Sequence, residues 1–187
     1  AIDVRLAENG ELEIAGPYVG GYLGDPDPAP GERRWLKTGD IFVRRPSGHY
    51  EIVDRVKDVY KNTRGQTVSP AAVERRLADV PGVRRAFLVG DGRDHNALLI
   101  VPETGDPVLN GLSAEGRQEY VAAIVAEVNR EVSPVERVVA FTLLERDFDP
   151  EKGELTPKGT FRRKAVLASF AEPIDGLFDA GTVVGPR

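Results

Sequence analysis

The spacing of polar and apolar residues changes near residue 54. Before it, runs are short and alternate. Residues 11–15 (ELEIA) switch polar to apolar at every step, the period of a half-buried strand, and the opening AIDVRLAENGELEI is strand-like throughout. GDPDPAPGE at 24–32 has the composition of a loop. Two β-prone runs, 41–45 and 49–53, flank Pro46-Ser47-Gly48-His49, a hairpin signal. Residues 1–54 therefore read as all-β.

Beyond residue 54 helical spacing appears. Ser69-Pro70 opens a helix, Ser as a cap and Pro at the first helical position, and Val73, Leu77 and Val80 form its stripe before Pro81-Gly82. VRRAFLVG (83–90) and ALLIVPE (97–103) read as strands. Ser113 caps a longer helix whose face carries Val121, Ile124, Val125, Val128 and Val132. A third strand is expected over 138–144. After a loop at 147–159, residues 161–178 form one or two helices, broken near Pro173. The order helix, strand, strand, helix, strand, helix describes a small α+β sandwich, with the boundary between the two parts at 54–58.

Bulk composition narrows the function. The 187 residues suffice for one large or two small domains, and 41% hydrophobic with 29% charged residues is ordinary for a globular protein. A net charge of −5 argues against a nucleic-acid binder. No apolar run is long enough for a transmembrane helix, and no secretion signal opens the chain, so a cytoplasmic location is expected. The absence of cysteine excludes disulfides, thiolate metal sites and a cysteine nucleophile; His49 and His95 cannot alone build a zinc site. The chain also lacks methionine and begins inside a strand-rich stretch, which leads us to expect a fragment of a longer protein.

Four segments carry candidate chemistry. In Thr38-Gly39-Asp40 the glycine permits a tight backbone path, and the carboxylate offers two acceptors suited to a vicinal diol such as ribose. Alone, the tripeptide reads more simply as an Asx-type turn between strands. Asp54-Arg55-Val56-Lys57-Asp58 places a guanidinium fork where phosphate or ribose oxygens could be met, or forms a solvated linker. Residues 64–70 (RGQTVSP) lead into a helix N-terminus, which can accept an anion or simply be capped. Residues 155–164 (LTPKGTFRRK) are a basic loop entering a helix, or a plain surface loop.

Taken in order, GELEIAGPYVGGYLGDP, WLKTGD, GHYEIVDRVKDVYKNTRGQTVSPAAVE and LTPKGTFRRKAV resemble the C-terminal part of the adenylate-forming superfamily. That superfamily includes acyl-CoA synthetases, peptide-synthetase adenylation domains and luciferases; the LTP element looks most like the long-chain fatty-acyl-CoA synthetase branch. The resemblance implies that residues 1–54 are the β-rich C-terminal end of a large N-terminal adenylating domain and 55–187 a small mobile α+β C-terminal domain. It implies a fatty acid or other carboxylic acid as substrate, with ATP/AMP, coenzyme A and Mg2+. The acid is first joined to AMP with loss of pyrophosphate, then passed to the thiol of coenzyme A. Asp40 matches the aspartate that holds the ribose hydroxyls, Arg55 an arginine at the nucleotide and Lys57 the hinge. Gly65 and Gln66 lie on the face that meets the thioester-forming site, and Glu74 matches a helix acid that we take as structural. Fatty-acyl members commonly carry the adenylation lysine three residues after the LTP proline, where this chain has Thr160. Lys158 is therefore assigned the catalytic role, with Lys164 further on. The phosphate loop and acyl pocket would belong to the missing N-terminal portion, so the chain alone is expected to be inactive. Two alternatives stand beside this: a ligase that loads a carrier protein, and a non-catalytic α+β ligand-binding module.

Overall fold

The computed structural model describes residues 1–179 except 18, 23, 27, 28, 30 and 31. Part of the loop expected over 24–32 thus lies outside the described residues. The chain divides into two compact units, Ala1–Val59 and Tyr60–Arg187.

The first unit is an antiparallel meander of β1 (Asp3–Leu6), β2 (Glu11–Ala15), β3 (Leu36–Arg44) and β4 (Tyr50–Arg55). The alternation of ELEIA places Leu12 and Ile14 on one face with Val4, Leu6 and Leu36, their cross-strand partners. That apolar face is left half-open, with Val4 at 42% exposure and Leu6 at 36%. Glu11 and Glu13 project to the other face and are buried. Glu13 accepts a 2.7 Å hydrogen bond from Arg5 Nε, and the Arg5 guanidinium stacks 4.1 Å above the Trp35 ring. The turn expected at 46–49 joins β3 to β4, with the Arg45 N–H donating to the His49 carbonyl at 2.8 Å.

The second unit opens with a two-stranded hairpin, β5 (Tyr60–Lys61) and β6 (Thr67–Val68), which the sequence pattern did not reveal because each strand is two residues long. Then come α1 (Pro70–Leu77), β7 (Val83–Val89), β8 (Asn96–Pro102), the short α2 (Pro107–Asn110), α3 (Ala114–Glu131), β9 (Val138–Leu143), α4 (Arg163–Ser169) and α5 (Ala171–Phe178). The sheet runs β7-β8-β9, antiparallel then parallel. A parallel neighbour requires a crossover, and α2 and α3 supply it. Alternation along the strands splits the core. Ala86, Leu88, Leu98 and Ile100 pack with α1 and α3, while Phe87, Val89, Leu99 and Val101 pack with α4 and α5. A register shift in β9 after Val138 lets Val138 and Phe141 share one side while Ala140 joins the other. The α+β sandwich expected for this part is the one observed.

Two expectations about helix ends are corrected. Ser69 stands at the N-cap of α1, but its side chain makes no capping bond; Pro70, which has no N–H to satisfy, occupies the first position instead. Ser113 does cap α3, its Oγ accepting from the Gly116 N–H at 3.2 Å. The terminal helices break at Phe170, not near Pro173. Pro173 sits in the first turn of α5, where its missing N–H costs nothing. No helix among the described residues is long and apolar enough to cross a membrane.

β7 is a sheet edge, and side chains close it. Glu74 on α1 accepts the Leu88 N–H at 2.8 Å, and Arg163 on α4 donates to the Leu88 carbonyl. The two side chains pair with each other at 2.8 Å, and Arg163 lies 4.2 Å over Phe87. Nearby, buried Asn96 accepts from the Tyr60 hydroxyl at 2.7 Å and donates to the Val135 carbonyl at 2.7 Å, tying the hairpin to the crossover. A second ion pair anchors the chain after β9. Glu154 is fully buried and receives both Arg146 Nη atoms at 2.8 Å, plus the Asp149 N–H at 2.7 Å.

Breaking a buried pair strands its partner's charge. Arg163→Ala is expected to lower unfolding stability by about 3 kcal/mol in urea titration; a loss under about 1 kcal/mol would mean that the pair does not hold the edge. The hydrogen bonds from Arg146 hold the Glu154 carboxyl down at about 2, against the opposing effect of burial. Because that lies below the ordinary 4.5, the pair stabilises the fold above about pH 4.5, and this contribution disappears as the pH falls towards 2. The stability gap between the wild type and Glu154→Gln should therefore be widest above pH 4.5 and close as pH 2 is approached. A gap of constant size across that window would contradict the assignment.

Candidate functional site

Thr38-Gly39-Asp40 is not a turn between strands. It is a bulge inside β3. The register passes from Glu11↔Ile41 to Glu13↔Lys37, so Thr38, Gly39 and Asp40 together stand opposite Leu12. Gly39 takes φ +78°, the left-handed conformation that favours glycine. Local side chains replace the interrupted ladder. Thr38 Oγ1 donates to the Leu12 carbonyl at 2.8 Å, and the Gly39 N–H donates to Glu11 Oε1 at 3.0 Å. The Gly39 carbonyl in turn accepts from the Val56 N–H at 2.9 Å, fixing the end of β4 beside the bulge.

This geometry brings Asp40 and Arg55 together. They are direct partners across β3 and β4, with Arg55 Nε 3.5 Å from Asp40 Oδ1. The Arg55 side chain is 60% exposed and that of Asp40 29%. An ion pair this exposed contributes about 0–1 kcal/mol, so a ligand that bonds either group better can open it at small cost. Lys57 is exposed in the turn that follows β4, where the Arg55 carbonyl accepts from the Asp58 N–H at 3.0 Å and the Val59 N–H at 3.2 Å. That turn ends where the first compact unit ends.

The remaining candidates lie in the second unit on two separate loops. Gly65 and Gln66 are exposed in the hairpin between β5 and β6, and Gly65 has φ +73°. The loop is docked on the segment after β7, through Gly92 N–H to the Lys61 carbonyl at 2.8 Å and Thr63 N–H to the Arg93 carbonyl at 2.9 Å. Lys158 stands exposed at the tip of a small hairpin closed by the Leu155↔Phe161 bridge. The Thr156 carbonyl accepts the Gly159 N–H at 2.8 Å, which puts Pro157 and Lys158 at the two central turn positions. Phe161 roots this hairpin by edge-on packing against Phe87 and Phe148, with ring centroids 5.1 and 5.0 Å away. Arg85 steadies the tip, donating to the Gly159 carbonyl at 3.4 Å while pairing with Asp147 at 3.1 Å. The hydroxyl of Thr160 is 2.7 Å from that of Thr156, across the neck of the hairpin. Lys164 is exposed on α4. Glu74 has the structural role expected of it.

Sequence reasoning missed Asn62, Glu11 and Arg85. Asn62 had a readable signal, since Asn three residues before Gly is typical of a side-chain-closed turn. Glu11 and Arg85 act on backbone far along the chain and left no local trace.

Comparison with known proteins gives the fold its family. Residues 57–182 match the model of the AMP-binding enzyme C-terminal domain. The chain belongs to that family. Its relatives include the medium/long-chain-fatty-acid–CoA ligase FadD8 of Mycobacterium tuberculosis, 32% identical over 97% of this chain and 30% of that protein. Another is the long-chain-fatty-acid–CoA ligase FadD15 of the same organism, 31% identical over 94% of this chain and 32% of that one. The chain thus spans about a third of the length of these relatives. Among solved structures, the adenylation domain of a carboxylate reductase from Mycobacterium chelonae superposes with a TM-score of 0.77 at 20% identity, over 95% of this chain and 31% of that one.

The bulge sets a test of its own. Among the described residues beyond its chain neighbours, no atom lies within 4 Å of where a Cβ on Gly39 would sit, so the cost of Gly39→Ala is that of the left-handed backbone. That cost should be about 1–2 kcal/mol in chemical denaturation. An unchanged midpoint would show that the bulge tolerates another path.

Proposed function

We propose that this chain is the C-terminal part of an ATP-dependent acyl-CoA synthetase. Residues 1–54 would close its large adenylating domain and residues 55–187 form its small mobile domain. The observation that carries this reading is the extent of the likeness. Relatives named as fatty-acid–CoA ligases align over 94–97% of the chain, so the Asp40–Arg55 pair and the later loops lie on one aligned stretch. The half-open apolar face of the first unit's sheet adds support, since it suits a surface covered by preceding chain in a longer protein.

In this reading Asp40 accepts hydrogen bonds from the ribose hydroxyls of ATP, and Arg55 gives up its weak pair to meet the nucleotide. Lys57, in the exposed turn after β4, is the hinge, where a few residues absorb a large change of φ and ψ. Lys158 brings its ammonium to the negative charge that develops when the carboxylate attacks the α-phosphate. The resulting acyl adenylate then meets the thiol of coenzyme A, and Gly65 and Gln66 lie on the face presented at that stage. Among the described residues no group of three or more histidine, aspartate or glutamate side chains converges to hold a metal. Mg2+ is usually held by one or two carboxylates together with substrate phosphates, and no step here runs through the ion.

Activity of a longer enzyme containing this chain tests the reading. With a fatty acid it should catalyse ATP–pyrophosphate exchange and form the coenzyme A thioester, whereas residues 1–187 alone should give background exchange. Asp40→Ala in the longer enzyme should lower kcat/KM for ATP roughly ten- to a hundredfold, the effect of losing one charge-assisted hydrogen bond or two. Exchange by residues 1–187 alone, or unchanged use of ATP by Asp40→Ala, would overturn it.

A further inference from the structure

We infer that Asn62 is the positioning residue of the loop that carries Gly65 and Gln66 and, resting on the function proposed above, that it serves thioester formation and not adenylation. All of its polar atoms are engaged within the loop. Its N–H donates to the Gln66 carbonyl at 3.1 Å, and its carbonyl accepts from the Gly65 N–H at 2.9 Å. Its side-chain Oδ1 accepts from both the Arg64 and Gln66 N–H groups at 3.0 Å, and its Nδ2 donates to Gln66 Oε1 at 3.0 Å. The flanking strands are two residues long, too short for a backbone ladder to hold the loop. The two accepted N–H groups settle which end of the Asn62 amide is oxygen. The other end must then be the donor, and the Gln66 atom facing it must be its carbonyl oxygen. The Gln66 amide nitrogen is therefore turned away from Asn62, as a hydrogen-bond donor for something outside the loop.

The loop has the form of a preorganised contact surface. Arg64, Gly65 and Gln66 are exposed, and among the described residues beyond its chain neighbours no atom lies within 4 Å of where a Cβ on Gly65 would sit, so a ligand can approach that backbone closely. Order set before binding avoids the entropy cost of fixing a loop on arrival. The pantetheine arm of coenzyme A, built of amides ending in a thiol, has acceptors that a fixed Gln66 donor could meet.

Two measurements on Asn62→Ala and Asn62→Asp test this. In residues 1–187, Asn62→Ala should speed amide hydrogen exchange at Arg64 and Gln66 while amides of α1 and β7 keep wild-type protection. Asn62→Asp should retain most of the protection, because a carboxylate still accepts both N–H groups. Unchanged exchange at Arg64 and Gln66 in Asn62→Ala would overturn the positioning role. In the longer enzyme, Asn62→Ala should lower kcat for coenzyme A thioester formation ten- to a hundredfold, the scale of a misplaced contact. ATP–pyrophosphate exchange should keep its rate, and Asn62→Asp should recover most of the loss. Equal losses in both half-reactions, or none in either, would overturn the link to thioester formation. If the wild-type longer enzyme forms no thioester, the acyl-CoA synthetase reading fails and takes that link with it, while the amide-exchange result still decides the positioning role.

Discussion

Leu88 lies on the outer edge of the three-stranded sheet, where its N–H and carbonyl have no neighbouring strand. Glu74 and Arg163 meet them from α1 and α4, helices that pack on opposite sides of that sheet. A buried backbone group left unpaired costs a few kcal/mol, and so does a buried charge without its partner. The clamp answers both demands with one ion pair. Its position matters for the candidate loops as well. The hairpin carrying Gly65 and Gln66 runs through Ser69 into α1, and the hairpin carrying Lys158 runs through Arg162 into α4. Both loops are thus rooted in helices that the Glu74–Arg163 pair holds against one strand.

The Lys158 hairpin is closed largely by its own residues. Thr160 stands at the neck of this hairpin. Its hydroxyl faces that of Thr156 and helps close the neck, so the position contributes to local structure and no cation. The nearest exposed ammonium on the same hairpin is at Lys158, in a turn whose path is set by Pro157, Gly159 and the bond from Arg85. Asp147 holds Arg85 in place. Burial acts to raise the Asp147 pKa, but the Arg84 hydrogen bond, the Phe148 N–H and the charge of Arg85 outweigh it, and its carboxyl titrates below the usual range. The tip is therefore supported by a carboxylate whose ionised form its neighbours favour.

The first unit makes a different use of charge. Its sheet buries Glu11 and Glu13 and leaves Val4 and Leu6 half-exposed. The buried carboxylates are satisfied by Arg5 and by the Gly39 N–H, and the second of these bonds shapes the bulge that carries Asp40. The Asp40–Arg55 pair is weak because it is exposed and 3.5 Å apart. A strong pair there would compete with any ligand for both groups.

Much of the fold was legible in the residues themselves. Alternation marked β2, apolar β-prone runs marked β7 and β8, helical spacing marked α1 and α3, and Ser113 marked the start of α3, because each signal is a repeat, a run or a cap confined to a few neighbouring residues. The motif order also brought Asp40, Arg55, Lys57 and the two loops to attention. Folding alone decided that Thr38-Gly39-Asp40 is a bulge, since that depends on Glu11 reaching across a strand, and that the last helices part at Phe170, whose ring is taken into the core against Phe148. It alone joined Glu74 to Arg163 and Arg85 to Gly159. Those contacts link residues far apart along the chain, and no local period encodes which distant backbone group a side chain will meet.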